Sequence, residues 1–268
     1  MILPLLISLL LAPQSIRGSS SLTFNNGPDE ALLMSGQYFK YVRAIEQELM
    51  QSPSNANLHA SLALGYHLLG QRRFCDEEMQ QALALVDPPP VSPAGTAMQV
   101  HYLAGRLAME DTKFQLAVSH FQTALLLDPA NSKIEYFLGA SLQALNQHAS
   151  AKSHFEHACQ ATAYSWPCRA LAELELDDGN ATSAQTHAAQ ALHIEPTSPE
   201  SQLVAGKVAQ ALGNTSDALA FFHRAAELNQ SWEAPHYFLS HLYQKMPAQA
   251  AEAARELALY QELFNANQ

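Results

Sequence analysis

The chain has 268 residues, a formal net charge of −11 and 48% hydrophobic residues. So acidic a chain lacks the phosphate-neutralising surface that nucleic-acid binding requires, which excludes nucleic acid as a main partner. No composition break separates two globular domains, and Ala dominates the apolar fraction while strand-forming Val, Ile and aromatic residues are sparse, so helices are the default throughout.

Residues Met1 to Ala12 (MILPLLISLLLA) are almost wholly apolar and are followed by the polar stretch PQSIRGSSS. A bilayer-spanning helix needs roughly 20 apolar residues, so this run is too short to span. It matches the apolar core of a signal peptide with a flexible leader over residues 1–20, cleaved between Ser15 and Ser20. The expectation is an exported chain, periplasmic or secreted, with no transmembrane span once mature. No Lys or Arg precedes the run and no A-x-A site follows it, so a cytoplasmic chain with a packed or disordered tail stays open. No Cys follows closely, which argues against a lipid anchor.

From Leu22 onward the sequence repeats. Segments beginning at Ala56, Met98, Ser132, Ser165, Pro199 and Glu233 start 42, 34, 33, 34 and 34 residues apart, and a more degenerate copy begins near Leu22, 34 residues before Ala56. The units are therefore 22–54 (degenerate), 56–89, 98–131, 132–164, 165–198, 199–232 and 233–265, the last with a long closing helix. The 42-residue interval contains an excess, Pro88 to Gly95, assigned as a Pro-rich insertion over 90–97. Stiff and extended, it should loop out of the stack.

Within each unit two stretches of about 13 residues show the three-and-four spacing of an amphipathic helix. Turn signals separate them, as in Gly70-Gln71, Asp178-Gly179-Asn180 and Gly213-Asn214. Breakers such as Asp128-Pro129-Ala130-Asn131 close the units. Two antiparallel helices per unit follow. The eighth position reads Ala63, Gly105, Gly139, Ala172, Gly206, Ser240. The twentieth reads Cys75, Ala117, Ala151, Ala184, Ala218, and the twenty-seventh is Ala in Ala82, Ala124, Ala158, Ala191 and Ala225. The twenty-fourth carries Met79, Phe121, Phe155, Ala188 and Phe222. Small residues allow close helix approach, and the bulky ones fill the groove beside them.

These columns resemble the tetratricopeptide repeat, a 34-residue unit with small residues at positions 8, 20 and 27 and a Pro near 32, here Pro53, Pro129 and Pro196. The resemblance covers residues 22 to 264 and implies an all-α fold, an α-solenoid of antiparallel helix pairs wound into a superhelix. Pro88 falls one residue late, Ala163 and Gln230 replace the Pro, and Pro247 inserts a residue in the last copy. The family's role implies a non-catalytic scaffold that holds a peptide or protein segment on its concave face. An intracellular adaptor is the alternative setting.

In the family the first helix of each pair lines the groove. Carried over, its positions give Tyr102, Arg106, Lys133, Tyr136, Gln143, Trp166, Arg169, Glu173, Lys207, Gln210, Tyr237 and His241. Arg106, Lys133, Arg169, Lys207 and Lys245 all fall there, out of 14 Lys and Arg in the chain, so the groove reads as locally basic. Interleaved aromatics add flat apolar area with little side-chain entropy to lose. The expected ligand is a peptide that is acidic or ends in a carboxylate, lying along Arg106, Lys133, Arg169 and Lys207. The family's carboxylate clamp is not indicated, because Ala60 and Leu64 stand at its first-helix positions.

No P-loop, H-E-x-x-H, G-x-S-x-G or paired C-x-x-C occurs, so no catalytic residue and no cofactor is expected. Twelve His raise the question of metal. His59, His101 and His236 hold the fourth position, and His120, His154 and His187 the twenty-third. Equivalent positions of stacked repeats lie about 10 Å apart, too far to share an ion, so no metal site is expected. The three Cys, Cys75, Cys159 and Cys168, allow one bridge at most. In an exported chain Cys159 and Cys168, on either side of one inter-helix turn, are the natural pair; three reduced, buried thiols are the alternative.

Overall fold

A computed structural model describes residues 28–87 and 94–267. The signal-peptide expectation lies outside these residues, as do residues 90–93 of the Pro-rich insertion. Among the described residues there are fourteen α-helices, a single 3-10 turn and no strand. In chain order they are α1 (Pro28–Met34), α2 (Tyr38–Gln51), α3 (Ala56–Leu68), α4 (Arg72–Val86), α5 (Ala94–Glu110), α6 (Phe114–Leu127) and α7 (Ser132–Ala144). Then come α8 (His148–Gln160), α9 (Trp166–Asp177), α10 (Ala181–Ile194), α11 (Pro199–Ala211), α12 (Thr215–Leu228), α13 (Glu233–Gln244) and α14 (Ala250–Ala266), the 3-10 turn Pro247–Gln249 preceding the last. The architecture is an α-solenoid of antiparallel helix pairs. It divides into two compact units between His154 and Phe155, within α8.

The repeat frame sets the helix boundaries. At the fifteenth position of successive copies Gly36, Gly70, Thr112, Asn146, Gly179 and Gly213 all have φ between 59° and 80°. This left-handed residue stops the first helix, and the next amide bonds back to a carbonyl five residues earlier. Examples are Gln71 to Tyr66 at 2.8 Å and Asn214 to Ala209 at 2.8 Å. At the thirty-fourth position, Asn131 and Ser198 accept from amides of the next helix, as Asn55 does before α3. The degenerate copy obeys the same turn rule, and its Tyr41, Val42 and Ile45 are buried with Leu58 and Leu62 of the following helix.

Two boundaries differ from the sequence expectation. Helix α5 begins at Ala94, inside the segment expected to loop out, because Ala97 is buried and extends the apolar stripe one turn backwards. In the last copy Pro247 stands where the left-handed residue would be, and a 3-10 turn replaces the tight reversal.

The cores follow the small-residue columns. Ala63, Ala82, Ala117, Ala124, Ala172, Ala184, Ala191, Ala218 and Ala225 are wholly inaccessible. A Cβ added to Gly105 would lie 2.7 Å from Cε1 of Phe121, and one added to Gly206 would lie 2.4 Å from Cε1 of Phe222. The eighth position of the first helix is thus the seat of the twenty-fourth side chain of the second. Where the eighth residue is Ala172, the twenty-fourth shrinks to Ala188; where it is Ala63, a flexible Met79 stands there.

Besides its antiparallel partner, the first helix of a pair packs against the first helix of the next: α3 with α5 and α5 with α7 in the first unit, and α9 with α11 in the second. These first helices form a continuous tier within each unit, and the expected groove residues sit on it. At the C-terminal end α14 closes the last core with Ala253, and Asn267 donates to the Ser231 carbonyl at 3.3 Å.

Candidate functional site: the first-helix tier

In the first unit the expected residues build an aromatic cage rather than an open cationic patch. The Arg106 guanidinium carbon lies 4.0 Å above the Phe137 ring, its Nη1 donates to the Tyr102 hydroxyl at 3.3 Å, and the residue is 2% exposed. Tyr102 leans on Phe121 and Phe137 with centroids at 6.2 and 5.8 Å, and Tyr136 meets Phe137 edge-on at 5.1 Å. A cation held over a π face and covered from water is a structural element. Arg106, Tyr102 and Tyr136 are therefore core residues of the α5/α7 contact, and Lys133 and Gln143, half-buried, are the part of this set that faces outward.

In the second unit the cations are matched by acids across the α9/α11 seam. Lys207 Nζ is 2.7 Å from Glu173 Oε1, and Arg169 Nη1 is 3.5 Å from Glu200 Oε2. Each pair joins successive first helices, so the charges staple the tier together. The basic character expected from counting cations is largely cancelled there, because the acids come from the neighbouring helix. Glu200 also accepts from Ser198 Oγ at 2.8 Å. Arg169 Nε is buried without a hydrogen-bond partner, so its guanidinium keeps one unused donor. Trp166 stacks on exposed Tyr164 at 5.4 Å, Gln210 is half-buried, and Tyr237 (36% exposed) lies 4.3 Å from the exposed His241 ring and 5.5 Å from Tyr260. The outward-facing groups of this unit are thus aromatic and polar more than cationic.

The histidines are placed by the hairpin, not by the stack. The fourth side chain of the first helix meets the twenty-third of the second: His59 Nδ1 to Glu78 at 2.6 Å, and Glu135 to His154 Nδ1 at 2.5 Å. In the last copy, shifted by the inserted residue, His236 Nδ1 meets Glu256 at 2.6 Å. In the pair α5/α6 both partners are histidines, His101 and His120, with Nδ1 atoms 3.2 Å apart. His187, whose fourth-position partner would be Cys168, turns to Glu175 at 2.7 Å. These intra-hairpin rungs were legible as a pair of columns in one frame. Comparing repeats only with their neighbours hides them. Among the described residues no group of three or more His, Cys, Asp or Glu side chains is arranged to hold a metal ion.

Cys159 and Cys168 are joined by a disulfide with Cα atoms 4.7 Å apart, tying the end of α8 to the first turn of α9. This junction has Ala163 at the Pro position, and Ser165 makes no side-chain cap bond to α9. Gln190 Nε2 donates to the Cys159 carbonyl at 3.2 Å. Cys75 is free and buried, and burial pushes its thiol up to about 12.

No family model matches the sequence, and no curated protein matches it. Solved structures do. The Pseudomonas aeruginosa pilF protein matches at 19% identity and a TM-score of 0.60, over 80% of this chain and 98% of its own. YrrB, a TPR protein with an unusual peptide-binding site, matches at 18% and 0.54, over 70% of this chain and 94% of its own. The C-terminal part of a TPR repeat-containing protein from Cytophaga hutchinsonii matches at 12% and 0.61, over 88% of this chain and 93% of its own. At such identities the likeness is one of fold. Joined to the recurring columns and the helix pairs they dictate, it makes the chain a protein of the tetratricopeptide-repeat fold.

Proposed function

We propose that this protein is a non-catalytic scaffold that holds a peptide or protein segment against the first-helix tier, and that it works after export from the cytoplasm. The observation that carries the binding reading is the outward set of the tier in the second unit: Trp166, Gln210, Tyr237 and His241 stand on its first helices with exposed or half-exposed side chains. Aromatic rings with a polar edge lose little entropy on ordering and dominate protein contacts. Because Arg169 and Lys207 are neutralised by Glu200 and Glu173, a bound segment meets little net positive charge there. The ligand is a segment recognised by aromatic and polar contacts, with at most a local acidic group.

A photo-crosslinking residue at Tyr237 or Gln210 tests this. It should capture a defined partner that the same probe at Leu126, 82% exposed on the second helix α6, does not. Equal capture from Leu126 would reject the tier as the binding face. Export is supported by the Cys159–Cys168 bridge, since disulfides persist in oxidising compartments. N-terminal sequencing of the protein from fractionated cells should find roughly 15–20 residues removed, in keeping with a signal peptide of ordinary length. An intact N-terminus in the cytoplasmic fraction would return the reading to an intracellular adaptor.

A further inference from the structure

Three rungs of the hairpins pair an imidazole with a carboxylate, His59 with Glu78, Glu135 with His154 and His236 with Glu256. In such a rung an imidazole N–H can donate to the carboxylate, and no second imidazole faces it. The α5/α6 rung has the opposite chemistry. His101 is 4% exposed, its Nδ1 is 3.2 Å from His120 Nδ1, and its Nε2 is 3.3 Å from Asp87 Oδ1 at the end of α4.

The protons of this rung can be counted. The Asp87 carboxylate can only accept, so His101 Nε2 carries a proton and donates to it. The remaining His101 lone pair, on Nδ1, then accepts from His120 Nδ1–H, which leaves the His120 Nε2 lone pair open. One additional proton fits on that Nε2 without disturbing either hydrogen bond. A second must go on His101 Nδ1, where it faces His120 Nδ1–H. The bond between the rings is then lost, and two cations are left with nitrogens about 3 Å apart in a partly dry site, where their repulsion is weakly screened.

We propose that His101, His120 and Asp87 form an acid-sensitive latch, closed at neutral pH and released from the α5/α6 hairpin when both imidazoles become protonated, a like-charge contact that the His–Glu rungs of the other hairpins lack. The charged groups acting on His120 are His101 on α5 and Asp87 at the end of α4. Burial first, and His101 second, hold the His120 imidazolium below the usual histidine range, with Asp87 opposing them. The folded hairpin therefore takes up its proton later than the unfolded chain as pH falls. The latch is fully closed above about pH 6.5, and below that value the opening constant rises by up to about tenfold per pH unit for each proton taken up only on opening. The inference does not depend on the partner-binding reading.

Native-state hydrogen exchange of the whole chain, corrected for intrinsic exchange, tests it. Between pH 7.5 and 5.0 protection in α5 and α6 should fall by more than tenfold relative to α3 and α4, whose rung is His59–Glu78. His120→Glu, which installs the rung chemistry of the other hairpins, should abolish that loss. His120→Gln, which keeps a donor without a titrating ring, should at least halve its pH slope and covers the case in which the acidic variant folds poorly. An equal change in both hairpins of the wild-type protein, or an unchanged slope in the variants, would overturn the proposal.

Discussion

The ring of Phe222 occupies the space a side chain at Gly206 would need: a Cβ there would come within 2.4 Å of the ring. Gly206→Ala gains roughly 1 kcal/mol of helix propensity but overpacks a rigid ring against backbone, a cost of about 1–3 kcal/mol. The variant should be less stable by up to about 2 kcal/mol in urea titration. Adding Phe222→Met, the size class found beside Ala63, should recover part of the loss. A double-mutant cycle with coupling below about 0.5 kcal/mol would show that the two residues are independent.

Thr112 sits at φ 59°, a left-handed conformation that a β-branched residue adopts only at a cost. Thr112→Gly should stabilise the protein by about 1 kcal/mol, seen as a higher urea midpoint at constant slope. The reverse experiment, Gly213→Ala at φ 80°, should destabilise it by a similar amount. If both substitutions are neutral, the turn is not the shared stop signal described above.

Arg106 and Tyr237 were expected to share one task, and the structure separates them. Arg106→Ala removes a cation from the Phe137 face together with its packed stem, and should cost about 2 kcal/mol of stability. Tyr237→Ala should shift stability by less than about 1 kcal/mol because the side chain is 36% exposed, yet lower partner capture at least fivefold. Calorimetry and the crosslinking assay on the same two variants check this, and a reversed pattern would place the binding residues in the first unit.

The Cys159–Cys168 bridge closes a short loop, with a sequence separation of 9. Replacing both residues with Ser should cost roughly 2–3 kcal/mol in urea titration. Cys75, its thiol raised to about 12 by burial, should resist alkylation at pH 8 in the folded protein and react only on unfolding. Rapid labelling of Cys75 under native conditions would contradict its buried place.

The fold was legible because its determinants are small residues in fixed columns, and a column of Ala or Gly marks where two helices touch. The degenerate first copy was also within reach, since Gly36 falls in the same turn column as Gly70 and Gly213. The groove was legible only as a list of positions. Whether Arg169 is free to meet a ligand depends on Glu200, one repeat further on, and whether Arg106 faces water depends on Phe137. Such pairings cross between repeats, and a residue-by-residue transfer from a family motif carries no information on them. The start of α5 was missed for a related reason: Pro88 to Pro93 draws attention to the break, while the apolar spacing resumes at Ala94 and Ala97.

Copies that look alike by their alanines are not spare parts for one another. Setting the glycine-bearing helix of one hairpin against the Ala188-bearing helix of another would leave a void the size of a benzyl group, and the opposite exchange would jam a methyl into a phenyl ring. Lengthening or shortening this array by recombination therefore preserves its packing only when both halves of a hairpin travel together.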